Sequence, residues 1–157
     1  MRPGVRLGVD VGSVRIGVAS CDPDGMLASP LATVRRGSGD HAEIGRIAAR
    51  RQAMEIVVGL PVGLSGKAGV AADQARAFAT DLARVVAPVP VRLVDERFTT
   101  VLAHAALAAQ GRSARQRRPV VDRAAAATLL QGALDAERRT GEPPGELVGS
   151  VAGAGER

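Results

Sequence analysis

Residues 5–20 read V-R-L-G-V-D-V-G-S-V-R-I-G-V-A-S, and this stretch decides the fold prediction. From Val5 to Val11 apolar residues alternate with small or polar ones, which is typical of a strand with one buried face. Gly12-Ser13 begins a turn into a second alternating segment, Ile16–Ser20. A further turn signal, D-P-D-G, precedes a third extended segment around Met26–Val34. Three short strands joined by tight turns predict an antiparallel meander.

Downstream of the meander, helical and extended patterns alternate. Asp40 followed by Glu43 is a capping-box signature, which predicts a helix running to about Arg51. The further predicted elements, in chain order, are a strand at Glu55–Gly59, a helix at 70–86, a strand at Val91–Val94, a helix from Thr99 or Thr100 to about Gln110, a flexible basic loop at Gly111–Pro119 and a helix at 120–139. Strands separated by helices pair in parallel through right-handed crossovers. We therefore predict an α/β fold with one five-stranded mixed sheet, an antiparallel three-strand meander plus two parallel strands, flanked by helices.

Length and composition indicate a single domain. A chain of 157 residues suits one hydrophobic core, which we assign to residues 1–139. Residues 140–157 are rich in Gly, Pro and Glu, and we predict that they form a disordered tail. No apolar run approaches the roughly 20 residues that a membrane span needs, and the first strand begins too early to leave room for a signal peptide. We expect a cytoplasmic protein without a membrane partner.

The charge balance points to an acidic polymer as partner. The formal net charge is +5, and Lys67 is the only lysine, so arginine carries almost all of the positive charge. The chain has two Phe and no Trp or Tyr, which excludes an aromatic platform on which bases could stack. If nucleic acid binds, we expect recognition of its phosphates and shape and no sequence reading.

Cysteine and histidine offer little for a metal site. One cysteine excludes both an internal disulfide and a cysteine-based zinc site. We interpret Cys21 as a small residue that ends a strand, with an intermolecular disulfide as the alternative if it is exposed. His41 and His104 are far apart in sequence, and we interpret both as solvated surface residues.

Acidic residues occur at two places where a sheet disfavours them or where α/β proteins place their chemistry. Asp10 lies inside the first strand and shares a face with Gly8 and Gly12, which clear space for another backbone. The alternative is an aspartate that only starts the turn at Gly12. Asp95 and Glu96 follow the last predicted strand, at its carboxyl end, and strand alternation allows only one of them to share the catalytic face. Their alternative role is to cap the next helix or to pair with Arg97.

Asp122 stands out because of its helical spacing. Ala126, Leu129, Leu130 and Ala133 follow it at four, seven, eight and eleven residues, so Asp122 continues the face that packs on the sheet. A buried carboxylate needs a cation, a hydrogen-bond partner or a metal, although a helix N-terminus or Arg123 could also stabilise it. Three acids without a Cys or His cluster favour Mg²⁺ or Mn²⁺ over zinc.

Basic and glycine-rich segments are candidates for phosphate binding. The loop at 59–69 contains Lys67 among glycines but has Ala68 where a Walker A loop needs a hydroxyl. A run of arginines precedes the last helix, close in sequence to Asp122. The predicted nucleic-acid-binding residues are Arg15, Lys67, Arg97, Arg112, Arg115, Arg117, Arg118 and Arg123.

Four segments together resemble the YqgF/RuvX family, which is related to the Holliday-junction resolvase RuvC within the ribonuclease-H-like superfamily. These segments are G-V-D-V-G-S-V-R-I-G-V-A at 8–19, V-V-G-L-P-V-G-L-S-G at 57–66, D-E-R-F-T-T at 95–100 and V-D-R-A-A-A-A-T-L-L-Q at 121–131. They occur in this order along the chain, and the resemblance covers roughly Val5 to Arg139, nearly the whole predicted domain.

The resemblance implies a ribonuclease-H-like fold and a catalytic, metal-binding triad of Asp10, Glu96 and Asp122, and it favours Glu96 over Asp95. It implies a two-metal nuclease using Mg²⁺ or Mn²⁺. The expected function is hydrolysis of phosphodiester bonds in structured nucleic acid, foremost at the 5′ end of pre-16S rRNA, with ribosomal particles and a second copy of the chain as further candidate partners. The alternative is a Holliday junction resolvase acting on branched DNA, although RuvC-type resolvases have four acids where this chain offers three.

Two other classes of function compete with a nuclease. The D-V-G-S turn at Asp10 also resembles the phosphate-binding turn of actin-like ATPases, but those enzymes enclose a nucleotide between two domains and this chain has room for one. A non-catalytic RNA-binding ribosome assembly factor is the other alternative, and it predicts that no divalent metal binds.

Overall fold

The computed structural model describes residues 1–61, 69–96 and 114–148, with the backbone alone at 114–121. The described strands are β1 (Arg6–Val11), β2 (Arg15–Cys21), β3 (Ala28–Arg35), β4 (Glu55–Leu60), β5 (Val91–Asp95) and β6 (Glu146–Leu147), and the described helices are α1 (Asp40–Arg51), α2 (Val70–Val86) and α3 (Ala114–Thr140). The strands form one sheet in the order β3-β2-β1-β4-β5-β6. In these ranges no helix is long and apolar enough to cross a bilayer.

Strand pairing confirms the predicted mixed sheet. β1 pairs antiparallel with β2, and β2 pairs antiparallel with β3, which is the meander. β1 and β4 are parallel, as are β4 and β5. The prediction of five strands was one too few, because Glu146–Leu147 adds a short antiparallel strand beside β5. This strand lies in the stretch where we expected disorder, and that expectation does not hold for residues 141–148.

The two faces of the sheet carry separate apolar clusters. Strand alternation sends Val9, Ile16 and Leu93 to the face covered by α1 and α2. The opposite face is covered by α3 through Leu130 and its apolar neighbours. A Cβ on Gly8 would lie 2.8 Å from the carbonyl oxygen of Ala126, so a glycine in β1 lets α3 pack directly on the strand backbone.

The start of α1 corrects the predicted capping box. The N-cap residue is Gly39, whose φ of 91° favours glycine, and Asp40 is the first helical residue. The Asp40 carboxylate accepts a hydrogen bond from the backbone N–H of Gly37 at 3.0 Å, while Glu43 pairs with Arg46. Gly39 is therefore the N-cap, and Asp40 binds the backbone of the preceding turn. The capping box predicted from Asp40 and Glu43 does not form.

The start of α3 corrects the predicted loop at Gly111–Pro119. Residues 114–119 are helical, so the last helix begins at Ala114 and not near Val120. Arginine and glutamine are good helix formers, which favours a helix over a loop in this stretch. The predicted helix at 99–110 lies outside the described residues.

A buried network of charged residues fixes the amino-terminal segment and the far half of α3 to the sheet. Glu137 of α3 is 3% exposed and accepts from Arg2 at 2.8 Å and from Arg6 at 3.4 Å. Glu55 of β4 is 1% exposed and accepts from Arg2 at 3.0 Å and from Arg92 at 2.8 Å. The arginines hold the pKa of Glu137 down at about 2, with the Arg2 hydrogen bond as the largest cause.

Candidate active site

Asp10 lies near the carboxyl end of β1 and faces α3. It pairs across the strands with Gly17 of β2, and opposed residues of an antiparallel pair point to the same face. A Cβ on Gly17 would overlap the carbonyl oxygen of Asp122 in α3. The strand register and this close backbone contact place Asp10 and the Asp122 segment of α3 on the same side of the sheet.

Glu96 reaches the same face from the end of β5. Val91 and Leu93 pack in the core under α1 and α2, whereas Val94 packs with the α3 cluster, so Glu96 continues on the α3 side. A Cβ on Gly59 of β4 would lie 2.9 Å from Glu96 Oε2. The glycine at the end of β4 therefore makes room for the Glu96 carboxylate.

The carboxyl groups of Glu96 and Asp10 are in contact through a hydrogen bond. The pKa of Glu96 is raised to about 7, chiefly by burial and then, in decreasing order, by the Asp10 charge, the Asp10 hydrogen bond and the Asp95 charge. Two carboxyl groups can share a hydrogen bond only if one of them carries a proton. A half-buried carboxylate pair that takes up a proton near neutrality is chemically suited to a hard divalent cation, which would replace that proton.

Asp122 is engaged differently from the other two acids. Its carboxylate accepts from Arg15 Nε at 3.2 Å, and the two side chains are 24% and 29% exposed. The sequence predicted a buried carboxylate that requires a partner, and the structure shows a half-buried one whose partner is Arg15. Within residues 1–61, 69–96 and 114–148, no three Asp, Glu, His or Cys side chains are grouped closely enough to hold one metal ion.

The predicted basic residues divide into three groups. Arg15 lies in the site, bound to Asp122, and Arg123 follows Asp122 in α3 and is half-buried. Arg115, Arg117 and Arg118 belong to the start of α3, where the structure describes the backbone alone. Lys67, Arg97 and Arg112 lie outside the described residues, as does most of the glycine-rich loop, and their roles stay predictions.

Arg36 is a residue of the site region that the sequence analysis missed. Its Nη1 donates to the carbonyl oxygen of Gly12 at 2.8 Å, and its guanidinium lies 5.4 Å from the centre of the Phe78 ring. Arg36 thus fixes the β1–β2 turn that follows Asp10. The pair of arginines at the end of β3 was the available signal.

Two other sequence interpretations can be compared with the structure. His41 is not a solvated surface residue, because its ring stacks on Phe78 at 4.2 Å and its Nδ1 lies 2.9 Å from the Asp40 carboxylate. Cys21 ends β2 and is buried, as the simpler interpretation had it, and burial raises the pKa of its thiol. His104 lies outside the described residues.

Comparison with known proteins gives consistent matches along the chain. The family profile RuvX, described as Holliday junction resolvase, matches residues 4–136. A Nocardioides protein is 60% identical over 153 residues, covering 94% of this chain and 98% of its own length. Proteins of Thermobifida fusca and Streptomyces avermitilis are 57% and 53% identical, each over 94% of this chain and over 98% and 96% of their own lengths. All three bear the name "Putative pre-16S rRNA nuclease".

Solved structures support the fold. Thermus thermophilus RuvC in complex with a Holliday junction substrate aligns with a TM-score of 0.53 at 19% identity, over 87% of this chain and 97% of that one. A second T. thermophilus RuvC structure aligns with a TM-score of 0.50 at 18% identity over the same shares. At such identities the likeness shows the ribonuclease-H-like fold alone. The family match and the close relatives go further, and this chain belongs to the RuvX family of nucleases, which hydrolyse phosphodiester bonds.

Proposed function

We propose that the chain is a divalent-metal-dependent nuclease that processes the 5′ end of pre-16S rRNA. The observation that carries the proposal is the position of the acids on one face of the sheet. Asp10 of β1 and Glu96 at the end of β5 are in contact there. On the same face, α3 brings Asp122 over Gly17. Asp10 and Glu96 lie at the carboxyl ends of the parallel strands β1 and β5, where α/β proteins place their chemistry, and Asp122 of α3 would supply a third carboxylate from the same face.

The three acids act together in this proposal. Asp10, Glu96 and Asp122 would together hold the Mg²⁺ or Mn²⁺ ions, with Asp10 on the strand between the other two acids. When bound, the ions activate the attacking water and stabilise charge on the leaving oxygen. Glu96 would have to be ionised to hold a metal ion, and its proton would leave to solvent.

Arg15 links Asp122 to substrate binding. Its Nε donates to Oδ2 of the Asp122 carboxylate at 3.2 Å. Arg15 would compete with a cation for this oxygen of Asp122. Beside the site, its fork of N–H donors is suited to bind a substrate phosphate.

RNA is favoured as substrate by the names of the relatives that share more than half of their residues with this chain. Processing of pre-16S rRNA would place the enzyme in the cytoplasm and on ribosomal particles. The absence of Trp and Tyr from the sequence fits a duplex-like substrate that is gripped by its backbone.

The second candidate function is resolution of branched DNA. The description of the matching family and the RuvC-like fold favour it. A junction has two equivalent strands to cut, so this function predicts a homodimer with two acid sites. The third candidate, an assembly factor without catalysis, predicts that the acids bind no divalent metal.

One experiment separates these functions. A pre-16S rRNA fragment, a four-way DNA junction and linear duplexes are offered side by side to the protein in Mg²⁺, in Mn²⁺ and in EDTA. Asp10→Asn should abolish cleavage and leave binding intact or tighter. Asp81→Asn is the matched control, because Asp81 lies 56% exposed on α2 and pairs only with Arg84 among the described residues. Full metal-dependent cleavage by Asp10→Asn would reject the site assignment.

A further inference from the structure

Two arginines oppose each other beside the acid site. Arg15 begins β2, and its partner in the strand register is Arg35, the last residue of β3. Directly opposed residues of an antiparallel pair share a face, and like charges at such positions destabilise a sheet. Asp122 already neutralises Arg15, so the unbalanced charge of this pair is that of Arg35, and an external anion bound beside the two guanidinium groups would balance it.

Both arginines face α3 and therefore the acids. Val34 is buried in the core under α1 and α2, so alternation along β3 turns Thr33 and Arg35 to the other face. Arg15 shows the same orientation directly, because its Nε contacts the carboxylate of Asp122 in α3. The Arg15–Arg35 pair thus lies on the face that carries the acids, next to the cross-strand pair of Asp10 and Gly17.

The two side chains line a groove at the edge of the sheet. A cavity of about 240 Å³ is bordered by Val14, Arg15, Thr33 and Arg35. β3 is the outermost strand on this side of the sheet, so the groove leads from the acid site outwards over the β2–β3 hairpin. A nucleic-acid strand leaving the acids in this direction would pass between the two guanidinium groups.

Arg35 differs from its arginine neighbours because no other described group contacts its guanidinium. Arg36, its neighbour, donates to Gly12 and lies 3.5 Å from the Asp40 carboxylate. Arg35 is exposed, and among the described residues it has no ion-pair or hydrogen-bond partner. Its charge is therefore available to an external anion.

We propose that Arg35, together with Arg15 and the groove between them, forms a phosphate-binding subsite that grips the substrate backbone on the β3 side of the acids. The inference rests on the proposed nuclease function and names a surface that positions its substrate. The ligand is the phosphodiester backbone of a duplex, which RNA and DNA share.

The test measures binding without cleavage. A fluorescein-labelled RNA duplex and a labelled four-way DNA junction are titrated in EDTA with the wild-type protein, Arg35→Ala, Arg35→Lys and Arg50→Ala, over a range of KCl concentrations. Arg50 is the matched control, because it is exposed in the last turn of α1 on the opposite side of the sheet. Its loss changes the net charge by the same amount.

Arg35→Ala should weaken binding about three- to ten-fold and lower the slope of log K against log salt by about 1. Arg50→Ala should bind like the wild type, and Arg35→Lys should retain the salt slope. The melting temperature of Arg35→Ala should be equal to or above that of the wild type, since a like-charge pair is relieved.

The outcomes are distinct. A loss with both probes supports recognition of the shared backbone, and a loss with one probe alone assigns the subsite to RNA or to DNA. Equal affinities of Arg35→Ala and Arg50→Ala would overturn the subsite, as would a wild type that binds neither probe. If the wild type binds and yet cleaves nothing in Mg²⁺ or Mn²⁺, the proposed function fails while the subsite stands.

Discussion

The carbonyl oxygen of Asp122 lies over Gly17, at the position that a Cβ on residue 17 would occupy. Gly17 is also the strand partner of Asp10. The contact between a glycine in β2 and the backbone of α3 therefore sets how closely Asp122 approaches Asp10. Any side chain at position 17 must push the two acids apart or displace the helix.

Gly17→Ala is expected to lower both stability and activity. Added atoms in a well-packed interior cost about 1–3 kcal/mol, and here the neighbour is backbone that cannot rotate away, so we expect a loss near the top of that range. Urea unfolding gives the loss of free energy, and Mg²⁺-dependent cleavage should fall more than the folded fraction does, because α3 carries Asp122.

Gly45→Ala is the matched control for this substitution. A Cβ on Gly45 would lie 3.5 Å from Val85 Cγ1, an ordinary contact, and Gly45 is inside α1. Alanine in a helix interior is favoured over glycine by about 1 kcal/mol, so this variant should be more stable than the wild type. A Gly17→Ala protein with wild-type stability would contradict the close contact.

Glu137→Gln is expected to destabilise the protein in a pH-dependent way. The substitution removes the carboxylate that faces the buried guanidinium of Arg6 and leaves Arg2 with Glu55 alone; breaking a buried ion pair typically costs about 3–5 kcal/mol. Because the folded pKa of about 2 lies below the ordinary glutamate value of 4.5, the stabilisation is present above pH 4.5 and is lost as the pH falls towards 2.

Urea unfolding of both proteins between pH 2 and pH 7 checks this prediction. The two free energies of unfolding should differ most near neutrality and converge towards pH 2. Glu142→Gln, at an exposed position just after α3, should match the wild type throughout. A constant difference between Glu137→Gln and the wild type over this range would show that the carboxylate charge is not the cause.

Strand periodicity predicted most of what positions the acids. In β5, alternation separates Asp95 from Glu96, and the structure places Glu96 with Asp10 on the side where Val94 packs. The meander and the parallel pairs follow from turn signals and intervening helices. These features are local in sequence, which is why one sequence sufficed to predict them.

The features that the sequence did not predict depend on contacts between distant segments. β6 has two residues and exists only because β5 offers it a free edge. The ion pair of Arg15 with Asp122 spans 107 residues, and the opposition of Arg15 and Arg35 depends on the strand register. No local pattern of residues contains this information.

Metal binding should strengthen with pH up to about neutrality. The Glu96 pKa of about 7 means that a proton competes with the cation below that pH. If one proton is released on binding, the apparent Mn²⁺ affinity should rise about fifty-fold from pH 5 to pH 7 and level off above. Calorimetric titration at several pH values measures this dependence.

The variant Glu96→Gln assigns the proton. It should bind Mn²⁺ more weakly and with little pH dependence between pH 5 and pH 7. Metal binding strengthens as the pH rises, whereas the contribution of Glu96 to folding stability weakens. That contribution is greatest below pH 4.5 and declines as the pH rises through 7, because the folded pKa is raised. A Glu96→Gln protein with the wild-type pH dependence of binding would assign the proton to another group.

Arg15→Ala should separate metal binding from catalysis. Arg15 Nε donates to Oδ2 of the Asp122 carboxylate at 3.2 Å, so we expect it to compete with a metal ion for that oxygen. A partly exposed ion pair is worth about 0.2–1 kcal/mol, and its removal should therefore tighten Mn²⁺ binding by up to about five-fold. Cleavage at saturating metal should nevertheless fall, because the guanidinium that would bind a substrate phosphate is gone. Arg50→Ala, which removes the same charge from the opposite face, should change neither quantity. Weaker Mn²⁺ binding by Arg15→Ala would show that Arg15 orients Asp122 for the metal and does not compete with it.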